Sequence, residues 1–329
     1  MSEIDPGFLD QKYLVDPYAN WARGEGVPIY AGRTLDLLAV ETQPWGRFGM
    51  QGAICHVDGR CDFLSVFVFD LPPGGASAPV RHVYEECFVA LTGGGRTRVT
   101  LSNGRETTIE WRAGQAFAVP VNAMHRHEND GAVPARLVAF NDLRYLMGLY
   151  RNEAFLFANG GGFEARQAKA LEAGLLAVMA EDGGHGRNEP EPQAVPLADM
   201  AIGLDLWSLR AGERSRARRQ MQGRHVLCLD GEGSTFSFAS ASSDLERIDW
   251  RRGMLTGLTG MSFHQHVASG PGDLRLLSIE LGSMASPMFR SRRAAYGDRE
   301  VYASGAAEIP VDEERADIVA LAARMAAPA

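Results

Sequence analysis

The sequence predicts an all-β protein built from two related antiparallel domains, and three observations carry that prediction. First, Ile109-Glu110-Trp111-Arg112-Ala113-Gly114 returns 139 positions later as Ile248-Asp249-Trp250-Arg251-Arg252-Gly253, and His125 and His127 return at the same offset as His264 and His266. Gly74, His82, Glu86 and Gly93 correspond, 138 positions on, to Gly212, Gln220, Arg224 and Gly231. An ordered series of this kind is the trace of a duplicated unit, with one residue inserted between the two sets. Second, the β-rich segments are short and regularly broken by turns, which suits a closed or double-layered antiparallel sheet. Third, 37 glycines and 16 prolines in 329 residues suit many tight turns and disfavour long packed helices.

The elements follow in order. Residues 1–60 carry apolar pieces at 35–40 and 50–57 that read as extra strands packed on the first domain. Segment 63–69 is rich in β-forming residues and ends at the turn Pro72-Pro73-Gly74-Gly75. A strand is expected over 80–91, a return strand over 96–101 after three glycines, and a hairpin turn at Ser102-Asn103-Gly104. Further strands are expected at 107–111, 116–119 and 135–140. Leu171, Leu175 and Val178 at helical spacing predict a connecting helix over 163–181, with a linker at 182–186. The second strand-rich segment runs from about 204 to 282, and an amphipathic helix is expected over 312–325. The domain plan is thus 1–160, a connector over 161–195, and 196–329.

A net charge of -8 disfavours broad attraction to nucleic acid or anionic lipid. The arginine cluster at 214–219 is short and reads as a solvated turn face. Cys55, Cys61, Cys87 and Cys228 show neither ligand-type pairing nor a disulfide framework, so reduced thiols are expected. No apolar run is long enough to span a bilayer, and residues 1–12 contain no signal-like segment. A cytoplasmic location without nucleic acid or membrane partners is the resulting expectation.

On a regular strand, Val80, His82, Tyr84 and Glu86 share one face, with Arg81 and Cys87 on the other. His125 can approach from a neighbouring strand. Two neutral imidazoles and one carboxylate form a ligand set that leaves open positions on a divalent ion. A structural histidine and an arginine-paired glutamate are the competing readings of His82 and Glu86.

These residues resemble the two motifs of the cupin superfamily. Gly74, His82, Glu86 and Gly93 meet the first motif, with Val80 where a histidine normally stands. Gly114, Pro120, His125 and Asn129 meet the second, with Asn122 replacing the glycine before the histidine. The resemblance implies two cupin (double-stranded β-helix, jelly-roll) barrels with a helical connector. The remaining triad of His82, Glu86 and His125 is similar to that of cupins such as hydroxypropylphosphonate epoxidase, which hold non-haem iron by two histidines and one glutamate. Fe(II) is therefore the expected ion, with Mn, Ni or Zn as alternatives and no organic cofactor.

His127 is expected as a pocket acid or base, or a substrate hydrogen bond, with direct ligation as the other reading. Tyr84 is expected to orient a bound oxygen or move a proton, with plain aromatic filling as the alternative. Arg96, Arg98 and Asn129 are the substrate-binding candidates, the arginines for a carboxylate. In the second copy, Arg218, Gln220 and Arg224 occupy the places of Val80, His82 and Glu86. Arginine has no lone pair for a metal, so with His264 and His266 these residues form either an anion pocket or an internal ion-pair network. The expected function is a metal-dependent oxidoreductase, a dioxygenase of a small aromatic or hydroxylated carboxylic acid. A redox-neutral isomerase, decarboxylase or hydrolase is the first alternative, and a non-enzymatic metabolite-binding bicupin the second. The expected partners are a small anionic substrate and a second copy in a homodimer.

Overall fold

The computed structural model describes residues 16–58, 64–179, 190–219, 223–240, 243–281 and 307–326. Ahead of the first unit come helix α1 (Pro17–Gly24) and strands β1 (Ile29–Gly32), β2 (Thr34–Asp36), β3 (Gln43–Trp45) and β4 (Met50–Val57). Asp16 caps α1 by accepting from the Tyr18 and Ala19 amides, and Pro17 opens the helix where no amide donor is needed. The first unit has strands β5 (Ser65–Leu71), β6 (Glu86–Thr92), β7 (Gly94–Thr100), β8 (Glu106–Arg112), β9 (Gln115–Val119), β10 (Met124–Glu128) and β11 (Ala135–Asn141). Helices α2 (Leu143–Tyr150), α3 (Glu153–Phe157) and α4 (Glu164–Ala173) and strands β12 (Leu176–Val178) and β13 (Gln193–Ala194) connect it to the second. That unit has β14 (Ile202–Leu209), β15 (Arg218–Arg219), β16 (Arg224–Asp230), β17 (Gly233–Phe238), β18 (Glu246–Trp250), β19 (Met254–Leu258), β20 (Phe263–Ala268) and β21 (Leu274–Leu281). Strand β22 (Ala307–Glu308) and helix α5 (Ala316–Ala326) close the described chain.

The duplication is visible in the sheets. The first unit orders its large sheet β5-β11-β6-β9 and its small sheet β10-β7-β8. The second repeats both as β14-β21-β16-β19 and β20-β17-β18. A register irregularity recurs near the end of β6 opposite β11 and of β16 opposite β21. The inserted residue lies in a hairpin loop: Val99 faces Thr107, whereas its counterpart Ser237 faces Glu246.

The large sheets are buried on both faces, so their strands read as apolar runs rather than clean alternations. Val66, Val68, Cys87, Val89 and Val138 point away from the first barrel and pack with Leu204, Leu206, Leu227, Leu277 and Ile279 in one shared core. Phe67, Phe69, Phe88 and Phe117 point the other way and fill the first barrel.

The leading and connecting segments exchange partners. Strand β2 pairs with β19 of the second unit, and β12 pairs with β9 of the first. The leading residues therefore serve both units, not the first alone. Two expected elements are shorter than predicted. The strand expected over 80–91 begins only at Glu86, and the connecting helix ends at Ala173 because Gly174 turns to a left-handed φ of 90°. Leu175 and Val178 thus fall outside the helix, and α1, α2 and α3 were not anticipated. Phe63, Cys61 and the 182–186 linker lie outside the described residues. Cys55, Cys87 and Cys228 are buried free thiols. No described helix is long and apolar enough to cross a membrane.

Gly93 and its counterpart Gly231 turn the chain with φ of 70° and 81°. A Cβ on Gly93 would lie 2.6 Å from the Pro134 carbonyl oxygen, and one on Gly231 2.1 Å from that of Asp273. Both the conformation and the space exclude a side chain. Gly93→Ala is therefore expected to lower the unfolding free energy by more than about 1 kcal/mol, read as a reduced denaturant midpoint. An unchanged midpoint would show that the turn relaxes freely.

Candidate metal centre

Glu86 opens β6 with the same parity as Phe88 and Ala90, so its side chain enters the first barrel. His125 and His127 are the buried residues of β10, while Arg126 between them is exposed. His82 stands on an irregular segment that leaves the sheet. This segment is held by exchanged backbone bonds between Val80 and His125, at 2.9 and 2.8 Å, and by the Asn122 amide donating to the His82 carbonyl at 2.8 Å. Asn122 adopts φ of 57° where the cupin motif has glycine, and Met261, its counterpart, adopts 66°. Asparagine tolerates this left-handed turn better than most residues. Its side chain also ties the turn to the Asn159 and Gly161 carbonyls.

His82, Glu86 and His125 converge: one ligand atom from each lies within 4.8 Å of the others, and all three residues are buried. His82 Nδ1 donates to the Tyr84 carbonyl at 3.0 Å and His125 Nδ1 to that of Ala123 at 3.2 Å. With the proton placed on Nδ1, each Nε2 keeps its lone pair for the centre. Asn141 donates to Glu86 Oε1 at 2.9 Å, leaving Oε2 to face His82 Nε2 at 3.1 Å. That nitrogen is buried without a hydrogen-bond partner. An orphaned imidazole lone pair beside a carboxylate oxygen is the environment a divalent cation satisfies, so the donor set fits a metal. Burial, reinforced by the neighbouring His82 and His127, holds His125 well below the ordinary imidazole value. It is therefore neutral and able to ligate at physiological pH.

The other predicted residues are distributed differently. Tyr84 is fully buried and stacks on His82 with centroids 3.6 Å apart and planes 3° from parallel. Its hydroxyl has no partner among the described residues, and burial followed by the Glu86 charge pushes its pKa well above the usual phenol value. Aromatic packing that fixes the His82 ring is what the geometry displays. His127 bonds through Nδ1 to Thr97 Oγ1 at 2.8 Å, which in turn accepts from Trp111 Nε1 at 2.9 Å. Burial and His82 push it down to about 3, so a neutral imidazole replaces the expected acid or base near neutral pH.

Arg96 and Arg98 correct the sequence reading. They alternate with buried Thr97 and Val99, point outward, and pair with Glu128 rather than approaching the triad. Asn129 is likewise no pocket residue. It donates to the Leu71 and Val133 carbonyls and accepts from Gly131, stapling the loop after β10. Arg81, expected outside, instead lines a cavity of about 560 Å³ with Arg47, Phe48, Val80, His82 and Phe157. The broken strand is the reason, because strict alternation ends at Glu86. Sequence reading also missed Asn141, whose signal was only its position at the end of a predicted strand.

The second barrel keeps the framework and loses the ligands. Trp250 donates to Thr235 at 2.6 Å and Thr235 meets His266 at 2.7 Å. Ser215 accepts from the His266 amide, as Ser77 does from that of His127. The Glu86–Asn141 pair is replaced by Arg224 and Glu280, 3.3 Å apart. Arg218 pairs with Glu191 and, at 2.8 Å, with Glu308. Arg218, Arg224, His264 and His266 share a cavity of about 40 Å³, little more than one water molecule. These contacts favour the internal ion-pair network over an anion pocket. Gln220 lies outside the described residues.

Comparison with known proteins bears on the fold that carries these residues. Residues 67–141 match the family model described as Cupin domain. The first unit has the cupin fold. Bacillus subtilis oxalate decarboxylase is similar in structure, with a TM-score of 0.56 at 11% identity over 80% of this chain and 83% of that one. A structure concerned with the Mn(II) centres of the same enzyme covers 84% of this chain and 89% of its own, at 11% identity and a TM-score of 0.55. Procruciferin, an 11S globulin from Brassica napus, matches at 11% identity and a TM-score of 0.55 over 78% of this chain and 90% of its own. No curated protein matches the sequence significantly. The likeness establishes a bicupin fold.

Two expectations follow. Asn141→Ala removes the group that orients Glu86, and metal affinity should fall by about 10–100-fold, measured by competition with a chromophoric chelator. Undiminished affinity would remove Asn141 from the site. Acid stability is the second. His127, His225, His264 and His266 are pushed down to about 3, 4, 3 and 3 from 6.5. Below pH 6.5 the unfolded chain takes up protons at these four positions that the native state refuses. Asp142, pushed up to about 7 by burial and Glu85, acts oppositely but binds only one proton. The metal-free protein should therefore lose stability as pH falls from about 6.5 toward 4, by roughly 1 kcal/mol per pH unit for each uncompensated proton. A denaturant midpoint that rises over that interval would contradict the histidine assignment.

Proposed function

We propose that the chain is a metal-dependent cupin oxidoreductase, a dioxygenase acting on a small organic acid in the N-terminal barrel. The observation that carries this reading is the convergence of two tautomer-fixed histidines and one carboxylate oxygen on a single buried point. Two histidines and one carboxylate form the ligand set typical of non-haem Fe(II) oxygenases. His82, Glu86 and His125 resemble the reduced two-histidine, one-glutamate triad of cupins such as hydroxypropylphosphonate epoxidase. When bound, Fe(II) would offer open positions to a chelating substrate and to dioxygen.

The chain's own residues set the conditions for that chemistry. Asn141 fixes which Glu86 oxygen faces inward, and the stacked Tyr84 ring holds the His82 plane. Val80 replaces a fourth ligand with an apolar side chain, and Phe48, Met124 and Phe157 line the adjoining cavity. The second barrel contributes the shared core, without a metal of its own.

A redox-neutral reaction such as decarboxylation is the second reading, favoured by the structural likeness to oxalate decarboxylase. Metal analysis of anaerobically purified protein, followed by oxygen uptake with catechols, gentisate-like acids and hydroxyphosphonates, separates the two. Iron at about one ion per chain with substrate-dependent oxygen consumption is expected. Turnover without oxygen, on Mn, Ni or Zn, would replace the first reading with the second. Glu86→Ala should lose most of its metal and reduce turnover by about 100-fold or more, whereas Arg224→Gln should leave metal occupancy intact. Full occupancy in the Glu86 variant would overturn the assignment of the centre.

A further inference from the structure

The cavity beside the triad contains two arginines in different electrostatic states. Arg47 is saturated: its guanidinium pairs with Glu25 and Glu153, each at 2.5 Å, and lies 4.2 Å over the Phe157 ring. Arg81 has no hydrogen bond or ion pair among the described residues, and its Nε is buried without a partner. A half-buried guanidinium deprived of water on one edge is costly unless an anion completes it. It is adjacent in sequence to His82, and both line the same cavity. The remaining wall is largely apolar: Phe48, Pro79, Val80, Met124 and Phe157. A volume of about 560 Å³ lies within the usual range for small-molecule sites.

We infer that Arg81 is the substrate-recognition residue of this cavity, holding the carboxylate of an organic acid by a two-point ion pair while the apolar wall covers its hydrocarbon body. The inference deepens the reading of the cavity as the entrance to the metal centre and rests on it. The planar fork of arginine matches a carboxylate, and no ion pair among the described residues competes for it. Inorganic oxyanions satisfy the charge but leave the apolar wall uncovered. Because Arg81 forms no hydrogen bond or ion pair among the described residues, its substitution removes no such bond.

The test is calorimetric titration with benzoate, its neutral isostere benzamide, and sulfate, on protein as purified and after chelator treatment. Benzoate carries no chelating hydroxyl, so its binding reports on the arginine independently of turnover. Wild type should bind benzoate in both states, with benzamide and sulfate weaker by about tenfold or more. Arg81→Gln should weaken benzoate by about tenfold or more, erase the preference over benzamide, and leave metal content unchanged. Arg96→Gln, on the outer face, should bind benzoate as wild type does. Equal benzoate affinity in wild type and Arg81→Gln, absence of benzoate binding in wild type, or sulfate binding as tight as benzoate would each overturn the inference. Failure of the metal reading is seen separately, in the metal content of the Glu86 variant, since the chelator-treated protein judges Arg81 alone.

Discussion

The shared core between the two large sheets is the constraint from which the rest of the molecule follows. Both faces of these sheets are covered, one by the other unit and one by the interior of its own barrel. Strands buried on both sides tolerate polar groups only where every donor and acceptor is satisfied. In the first unit that place is the inner end of β6, where Glu86 meets β10 and the chain that precedes the strand. The exchange of β2 and β12 between units strengthens the same arrangement, because each large sheet gains an edge strand from the segment leading to the other. Neither barrel's sheet is complete from its own repeat alone.

The two repeats separate a shared buried network from the residues of the candidate centre. Trp111, Thr97, His127 and Ser77 recur in contact as Trp250, Thr235, His266 and Ser215, although the second barrel lacks the ligand set. A network retained where the candidate ligand set is lost is accounted for by the need to satisfy buried polar groups between the sheets. By contrast, Glu86 and Asn141 change together into Arg224 and Glu280. A lone Arg224 would leave an uncompensated buried charge, and the carboxylate at the Asn141 position removes that penalty. The second cavity is thus a neutralised relic of the first in electrostatic terms.

Much of this was legible in the sequence, and the failures have separate physical causes. The repeat, the strand-rich plan, the degenerate second centre and the grouping of His82, Glu86 and His125 followed from spacing and motif. Arg81 was misjudged because alternation was extended beyond the regular strand, and Arg96 and Arg98 because it was not applied to theirs. It holds for β7, where it sends Arg96 and Arg98 outward, and it fails before Glu86, where Arg81 turns to the cavity. Asn129 sits in a motif position and carried a binding role by association, yet its amide is fully used by the loop. The partner exchange of β2 and β12 had no local signal, since the same apolar triplets suit either sheet edge. Gly174 did signal a helix end, but the helical spacing of Leu175 and Val178 concealed it.

The irregular stretch before β6 explains why His82, Glu86 and His125 converge where they do. A regular strand would commit its backbone carbonyls to the ladder and leave the imidazoles to find other acceptors. Here the Tyr84 carbonyl is free to take the His82 Nδ1 proton, and the His82 carbonyl to take the Asn122 amide. The left-handed turn at Asn122 supplies that amide two residues before Met124 begins β10, so one short loop places both histidines. The same break releases Arg81 from the outward parity a strand would impose. Loss of strand regularity therefore fixes the tautomer of one ligand, couples it to the second, and leaves a cation beside both.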